Sequence, residues 1–135
     1  RITREIKMNF GQLFTSFEGR ISRKEWWIGF ILLYVVQFIV YFFAGAVGII
    51  TVDPATGEIS PSGALALLVI IVIFLWPALA LHAKRWHDRG KSGLWTLIVI
   101  VPVIGGLWLL IELGFLKGDE ATNKYGPNPV SGSTL

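Results

Sequence analysis

Trp26-Trp27-Ile28-Gly29-Phe30-Ile31-Leu32-Leu33-Tyr34-Val35-Val36-Gln37-Phe38-Ile39-Val40-Tyr41-Phe42-Phe43-Ala44-Gly45-Ala46-Val47-Gly48-Ile49-Ile50 is a run of 25 residues without a formal charge. At a helical rise of about 1.5 Å per residue it spans about 37 Å, more than the roughly 30 Å hydrocarbon layer of a bilayer. It lacks the period-2 alternation of a barrel strand, so it reads as a helix that crosses a membrane with some tilt. Two further apolar runs follow. Residues 64–83 contain Pro77 and end at His82-Ala83, and residues 94–116 are interrupted by Pro102, Gly105 and Gly106, with Glu112 near the far end. Each is long enough to cross.

The rest of the 135-residue chain agrees with a lipid surrounding. Hydrophobic residues make up 53% and charged residues 16%, where a soluble domain carries roughly 25% charge. Mean hydropathy is +0.63. Disorder needs low hydrophobicity, so the low charge points to a solvent other than water. These values exclude a soluble globular enzyme and a nucleic-acid binder. The absence of Cys excludes a disulfide scaffold, a thiolate nucleophile and Cys-ligated zinc or iron–sulfur centres. The expectation is an all-α integral membrane protein of one domain, residues 1–135. It comprises an interfacial amphipathic helix over 9–18, transmembrane helices over 23–50, 64–83 and 94–116, and a polar tail over 117–135.

The start of the first span is legible. Ser22-Arg23-Lys24-Glu25 fits a capping box, in which the Ser hydroxyl accepts from the backbone N–H of Glu25 and Glu25 reaches back. Trp26 and Trp27 then suit the headgroup depth. Before the cap, Phe10, Leu13, Phe14 and Phe17 fall on one helical stripe, which predicts the short interfacial helix ended by Gly19. Ala44-Gly45-Ala46 resembles a signal-peptide cleavage site, but the apolar stretch before it is too long. Residues 1–7 precede Met8; they read as an alternative start or a non-native extension and carry no functional argument.

Lys and Arg set the orientation. Six precede the first run (Arg1, Arg4, Lys7, Arg20, Arg23, Lys24), none lies in 51–63, and four lie in 84–93 (Lys84, Arg85, Arg89, Lys91). This predicts a cytoplasmic N-terminus, an external first loop and a cytoplasmic second loop. Three full crossings put the tail outside; if Pro102 and Gly105-Gly106 fold the third run back as a re-entrant hairpin, the tail returns inside.

Candidate functional residues fall in two sets. Within the bilayer, Tyr34, Gln37 and Tyr41 share a stripe with Ala44 and Gly48. Gln37 sits where lipid offers no hydrogen-bond partner, and Ala44 and Gly48 permit close helix approach. This face is the expected seam for self-association. Glu112 is one turn from the end of its run, a carboxylate reaching the interface or a cation site. The second set is the polar segment 84–93. Gly90-Lys91-Ser92 mimics the end of a phosphate loop, but Arg85 stands where Gly is required. His82 and His87 lie on different helical faces, so no metal site is expected. Ser92, His87 and Asp88 cannot easily form a relay triad. What remains is positive-inside anchoring, with Ser92 capping the third helix, or a pocket for an anionic phospholipid headgroup.

Three motifs resemble those of one family. Phe17-Glu18-Gly19-Arg20-Ile21-Ser22-Arg23-Lys24-Glu25-Trp26 is similar to the F-x-G-R-x-S-R-x-x-[WF] opening of the domain of unknown function 805 family, small bacterial inner-membrane proteins. Arg85-Trp86-His87-Asp88-Arg89-Gly90-Lys91-Ser92-Gly93-Leu94-Trp95 resembles its R-R-x-H-D-x-x-x-S-G-[WF] motif, with Trp86 in place of the usual aliphatic residue. Asn123-Lys124-Tyr125-Gly126-Pro127-Asn128-Pro129 resembles its closing N-x-[YF]-G-x-x-P. The likeness implies a helical fold and a bacterial inner (plasma) membrane location, and no activity.

Arg20, Arg23, Arg85, His87, Asp88 and Arg89 are therefore expected to form one polar cluster at the cytoplasmic surface, joined by Asn123 and Tyr125 if the tail is inside. The expected function is a non-enzymatic, multi-pass component without cofactor or metal, which self-associates or binds a partner membrane subunit or anionic phospholipid. The alternative is a small transporter or channel subunit using Gln37 and Glu112.

Overall fold

The structure is a computed structural model and describes residues 9–130. Residues 1–7 lie outside it. Among the described residues four α-helices form: α1 Phe10–Thr15, α2 Arg23–Ala46, α3 Pro61–Asp88 and α4 Ile104–Leu110. A 3-10 segment, Gly93–Ile100, precedes α4, and a π-helical turn, Ile111–Phe115, follows it. Among the described residues there is no strand, only isolated bridges.

Among the described residues two helices are long and apolar enough to cross a membrane: α2, whose most apolar 18-residue stretch has a mean hydropathy of 2.2, and α3, whose most apolar stretch has 2.9. Ser22 caps α2 by accepting from the Glu25 amide at 3.2 Å. Its hydroxyl then donates to the Glu25 carboxylate at 3.0 Å, so Glu25 reaches back to the side chain of the cap. α2 ends at Ala46, earlier than the expected residue 50, because Gly48 turns the chain at φ +80°. A tight loop follows, with Val52 bridged to Ile59. Ser60 caps α3 and Pro61 sits in its first turn, where a missing N–H costs nothing. α3 runs five residues beyond the expected end at Ala83. Lys84–Asp88 is helix rather than loop, and Gly90 at φ +73° closes it.

The third apolar run does not form the expected spanning helix. Ser92 caps it, but a 3-10 segment follows, and the chain reverses at Pro102-Val103. Val103 has φ 65° and ψ −61°, and the Ile104 N–H donates to the Pro102 carbonyl at 2.7 Å, a γ-turn. Gly105 then passes the outgoing arm so closely that a Cβ there would lie 1.8 Å from the Ile98 carbonyl oxygen. Both arms end beside the C-terminal part of α3. A Cβ on Gly93 would lie 2.7 Å from Ala83 Cβ, and the Leu113 carbonyl accepts from Arg85. Local chemistry permits the reversal. Proline removes a donor and restricts the residue before it, while glycine permits the close return.

The expected interfacial helix over 9–18 is reduced to six residues, capped by the Asn9 side chain. Its Leu13 is buried in the core, while Phe10 is exposed. That core, Leu13, Ile21, Trp26, Leu81, Trp86, Leu109 and Leu113, lies at one end of the molecule. Elsewhere α2 and α3 expose their large apolar side chains, Phe38, Phe42, Leu65 and Ile73 among them. In water that surface would be costly; in hydrocarbon it is solvated.

Candidate functional site

The C-terminal turns of α3 carry Leu81, Lys84, Arg85 and Asp88 on one stripe, at i, i+3, i+4 and i+7. All four are buried. A buried charge is costly unless it is paired and hydrogen-bonded, and each charge here is.

Asp88 is shared between two guanidinium groups. Arg20 meets its Oδ1 at 2.9 Å through Nε, and Arg85 meets its Oδ2 through Nη1. Further donors of both arginines go to backbone carbonyls. Arg20 Nη1 donates to Ala121 at 2.9 Å and Gly126 at 3.0 Å, and Nη2 donates to Asp119 at 2.5 Å. Arg85 donates to Leu113 at 2.7 Å and Leu116 at 2.6 Å. Arg20 therefore holds the tail, and Arg85 holds the end of the folded-back run.

The other cations do similar work. Lys84 Nζ donates to the carbonyls of Gln12, Leu13 and Ser16, at 2.6, 2.6 and 2.5 Å. These carbonyls cluster at the C-terminus of α1, where positive charge is favoured, and that of Gln12 also accepts the Ser16 N–H. Arg23 donates to Phe115 at 3.0 Å. Arg89 and Lys91 both bind Glu112, at 2.9 and 2.8 Å. Glu112 is buried, and two cations thus share its carboxylate. Lys91 also lies over the rings of Trp86 and Trp95.

The tail folds back onto this end. The Asp119 N–H donates to the Asp88 carbonyl at 2.7 Å. Gly118 passes so close to Asp88 that a Cβ would sit 1.9 Å from its carboxylate. Asn123 donates to the His87 carbonyl and to Asp119, both at 2.9 Å. Tyr125 stacks on the His87 ring, centroids 3.9 Å apart and planes 3° from parallel, while His87 Nδ1 meets the Gly19 carbonyl at 3.0 Å. Deeper in, the indole N–H of Trp26 donates to His82 Nδ1 at 3.1 Å and that of Trp27 to Gly114 at 2.9 Å.

The structure thus gathers Arg20, Arg85, His87, Asp88, Asn123 and Tyr125 at one end, with Arg23 and Arg89 at its edge. Lys84 and Lys91, which the sequence places in the polar segment 84–93 but not in the six-residue cluster, belong there too, as does Asp119, which lies outside both. The apolar stripe through Leu81 is the signal that could have found Lys84. Trp86 is wholly buried, and its indole N–H has no partner among the described residues. The second candidate set stays apart. Gln37 donates to Tyr41 on its own helix at 3.1 Å, and Tyr34 is exposed. Glu112 belongs to the polar end, so Gln37 and Glu112 lie at different depths. The expected seam along Tyr34–Gly48 is partly used within the chain, since Ala44 is buried.

This geometry defines a class: a helical membrane protein with two long apolar helices, tied at one end by buried cations that bind backbone carbonyls. The chain belongs to the family described as "Protein of unknown function (DUF805)", whose model matches residues 14–127. It is 35% identical over 121 residues to "Inner membrane protein YhaI" of Escherichia coli, covering 89% of this chain and 91% of that protein. It is 30% identical over 116 residues to "Inner membrane protein YhaH" of the same organism, covering 86% and 88%. "Uncharacterized protein YiiR", also of Escherichia coli, is 29% identical over 143 residues, covering 88% and 89%. No solved structure matches the chain.

Proposed function

We propose that this chain is a non-enzymatic, two-pass component of the bacterial inner membrane that presents a basic cytoplasmic face to anionic phospholipid. α2 and α3 cross, the run 94–116 is a re-entrant hairpin, and both the N-terminal segment and the tail lie on the cytoplasmic side. Charge supports the sidedness. Within 9–130 the polar end carries nine Lys and Arg (Arg20, Arg23, Lys24, Lys84, Arg85, Arg89, Lys91, Lys117, Lys124) against six carboxylates (Glu18, Glu25, Asp88, Glu112, Asp119, Glu120). The opposite loop carries only Asp53 and Glu58. That is the positive-inside pattern.

The observation that carries the function is how the cations divide. Arg20, Lys84 and Arg85 are buried and consumed by carbonyls and Asp88, so they build the fold. Arg23, Lys24 and Lys124 are exposed at the same end and are the groups available to headgroup phosphates. Each basic residue near an anionic surface contributes about 1 kcal/mol.

Native mass spectrometry of the protein released from mixed phosphatidylglycerol and phosphatidylethanolamine membranes tests this. Retained phosphatidylglycerol should exceed its bulk share and fall to that share in the triple variant Arg23→Gln, Lys24→Gln, Lys124→Gln. Retention at the bulk share in the unaltered chain would overturn the lipid reading. Protease access to the tail from the external side would overturn the sidedness.

A further inference from the structure

The folded-back run differs from α3 in length. The 3-10 segment Gly93–Ile100 rises about 16 Å at about 2.0 Å per residue. α3, with 28 residues, is about 42 Å long. A hydrocarbon layer of about 30 Å has leaflets of about 15 Å, so the hairpin is as deep as one leaflet. Its side chains suit that depth. Leu94, Ile100, Val103 and Ile104 are each more than two-thirds exposed, and all are aliphatic. Thr96, the polar residue of the outgoing arm, is buried. The one charge of the returning arm, Glu112, sits at the base, held by Arg89 and Lys91. At the tip the γ-turn satisfies the Ile104 N–H and the Pro102 carbonyl within the chain, which lowers the cost of placing that turn in hydrocarbon.

α1 docks at the same end, where Lys84 holds it. The polar-end half of the molecule therefore contains α1, both hairpin arms and the two long helices. Among the described residues, the other half contains only the two long helices and the loop 47–60 between them.

We propose that this chain is a leaflet-selective wedge: the hairpin Gly93–Phe115 embeds in the acyl layer of the polar-end leaflet only. It displaces more lipid from that leaflet than from the other, so the protein partitions into membrane that bulges toward its polar end. The partner it fits is a convex lipid leaflet, and the recognising surface is the aliphatic outer face of the hairpin. The inference rests on the re-entrant reading of the third run, and two separate measurements distinguish its failure from that one.

The first measurement is depth. The chain has no cysteine of its own, so Val103→Cys carries a single nitroxide. Oxygen should relax it strongly and a water-soluble nickel chelate weakly, as at the bilayer midplane. The reverse pattern would overturn both the hairpin and the wedge. The second measurement is sorting. Protein labelled near its C-terminus is reconstituted in giant vesicles from which membrane tubes are pulled. An impermeant quencher separates molecules with the polar end outward from those with it inward. Outward molecules should show a tube-to-vesicle density ratio above one that rises as the tube narrows, and inward molecules a ratio below one. Equal ratios for the two orientations, with the nitroxide still deep, would overturn the wedge and leave the hairpin standing.

Discussion

Replacing Arg20 by Gln should release the tail while leaving the two long helices in place. Arg20 donates to Asp88 and to the carbonyls of Asp119, Ala121 and Gly126, and its side chain is almost fully buried. Removing one partner of a buried ion pair costs about 3–5 kcal/mol, mostly because the other charge is stranded. Here Asp88 keeps Arg85, so the low end applies, about 3 kcal/mol. At about 1.4 kcal/mol per tenfold, that is roughly a 100-fold rise in the opening of the segment Arg20 holds. Asp88→Asn should cost more, because it strands two buried guanidinium groups. Arg23→Gln should cost less than about 1 kcal/mol, since Arg23 is exposed and makes one bond, to Phe115. The assay is amide hydrogen exchange of residues 117–130 in lipid nanodiscs. Exchange in Arg20→Gln within about threefold of the unaltered chain, a difference of only about 0.6 kcal/mol, would refute the clamp. So would strict additivity of Arg20→Gln with Asp88→Asn, because groups in one network couple.

Gly105→Ala should destabilise the hairpin, since a methyl meets the Ile98 carbonyl oxygen, whereas Gly106→Ala, with open space around it, should be neutral or stabilising by up to about 1 kcal/mol; thermal unfolding of the two variants gives the order. Lys84→Met keeps the apolar stem and removes the donor to three carbonyls, so α1 should detach and a protease should cut near Thr15 much faster, with the remainder of the chain resistant. Trp26→Phe should cost more than about 1 kcal/mol, because it removes the indole bond to His82 and also leaves a cavity in the core, read as a lowered melting midpoint.

Much of the fold can be read without coordinates. The uncharged stretch from Trp26 and the run from Ala64 demand helices, because hydrocarbon offers no partner for a free backbone group. Ser22 at the head of Arg23-Lys24-Glu25 marks where the first helix begins, and the structure has Ser22 capping the Glu25 amide. The third run is harder. Twenty-three residues suffice to cross, and only the combination of Pro102 with Gly105 argues for reversal. Composition cannot weigh the two outcomes, since both bury the same side chains in lipid. The reversal is settled by contacts far away in sequence: Arg85 takes the carbonyls of Leu113 and Leu116, and Trp27 takes that of Gly114.

The roles of the cations divide in the same way. That basic residues flank the apolar runs is a property of the sequence alone, and it follows from where charge is tolerated in a bilayer. Which of them are structural is a property of the tertiary arrangement. Lys84, Arg85 and Arg89 lie within six residues of one another, yet they serve α1, the π-helical turn with Asp88, and Glu112 respectively. A cation is assigned to fold or to surface by the carbonyls and carboxylates that the distant chain brings to it, and those arrive only when the tail and the reversed run return to the end of α3.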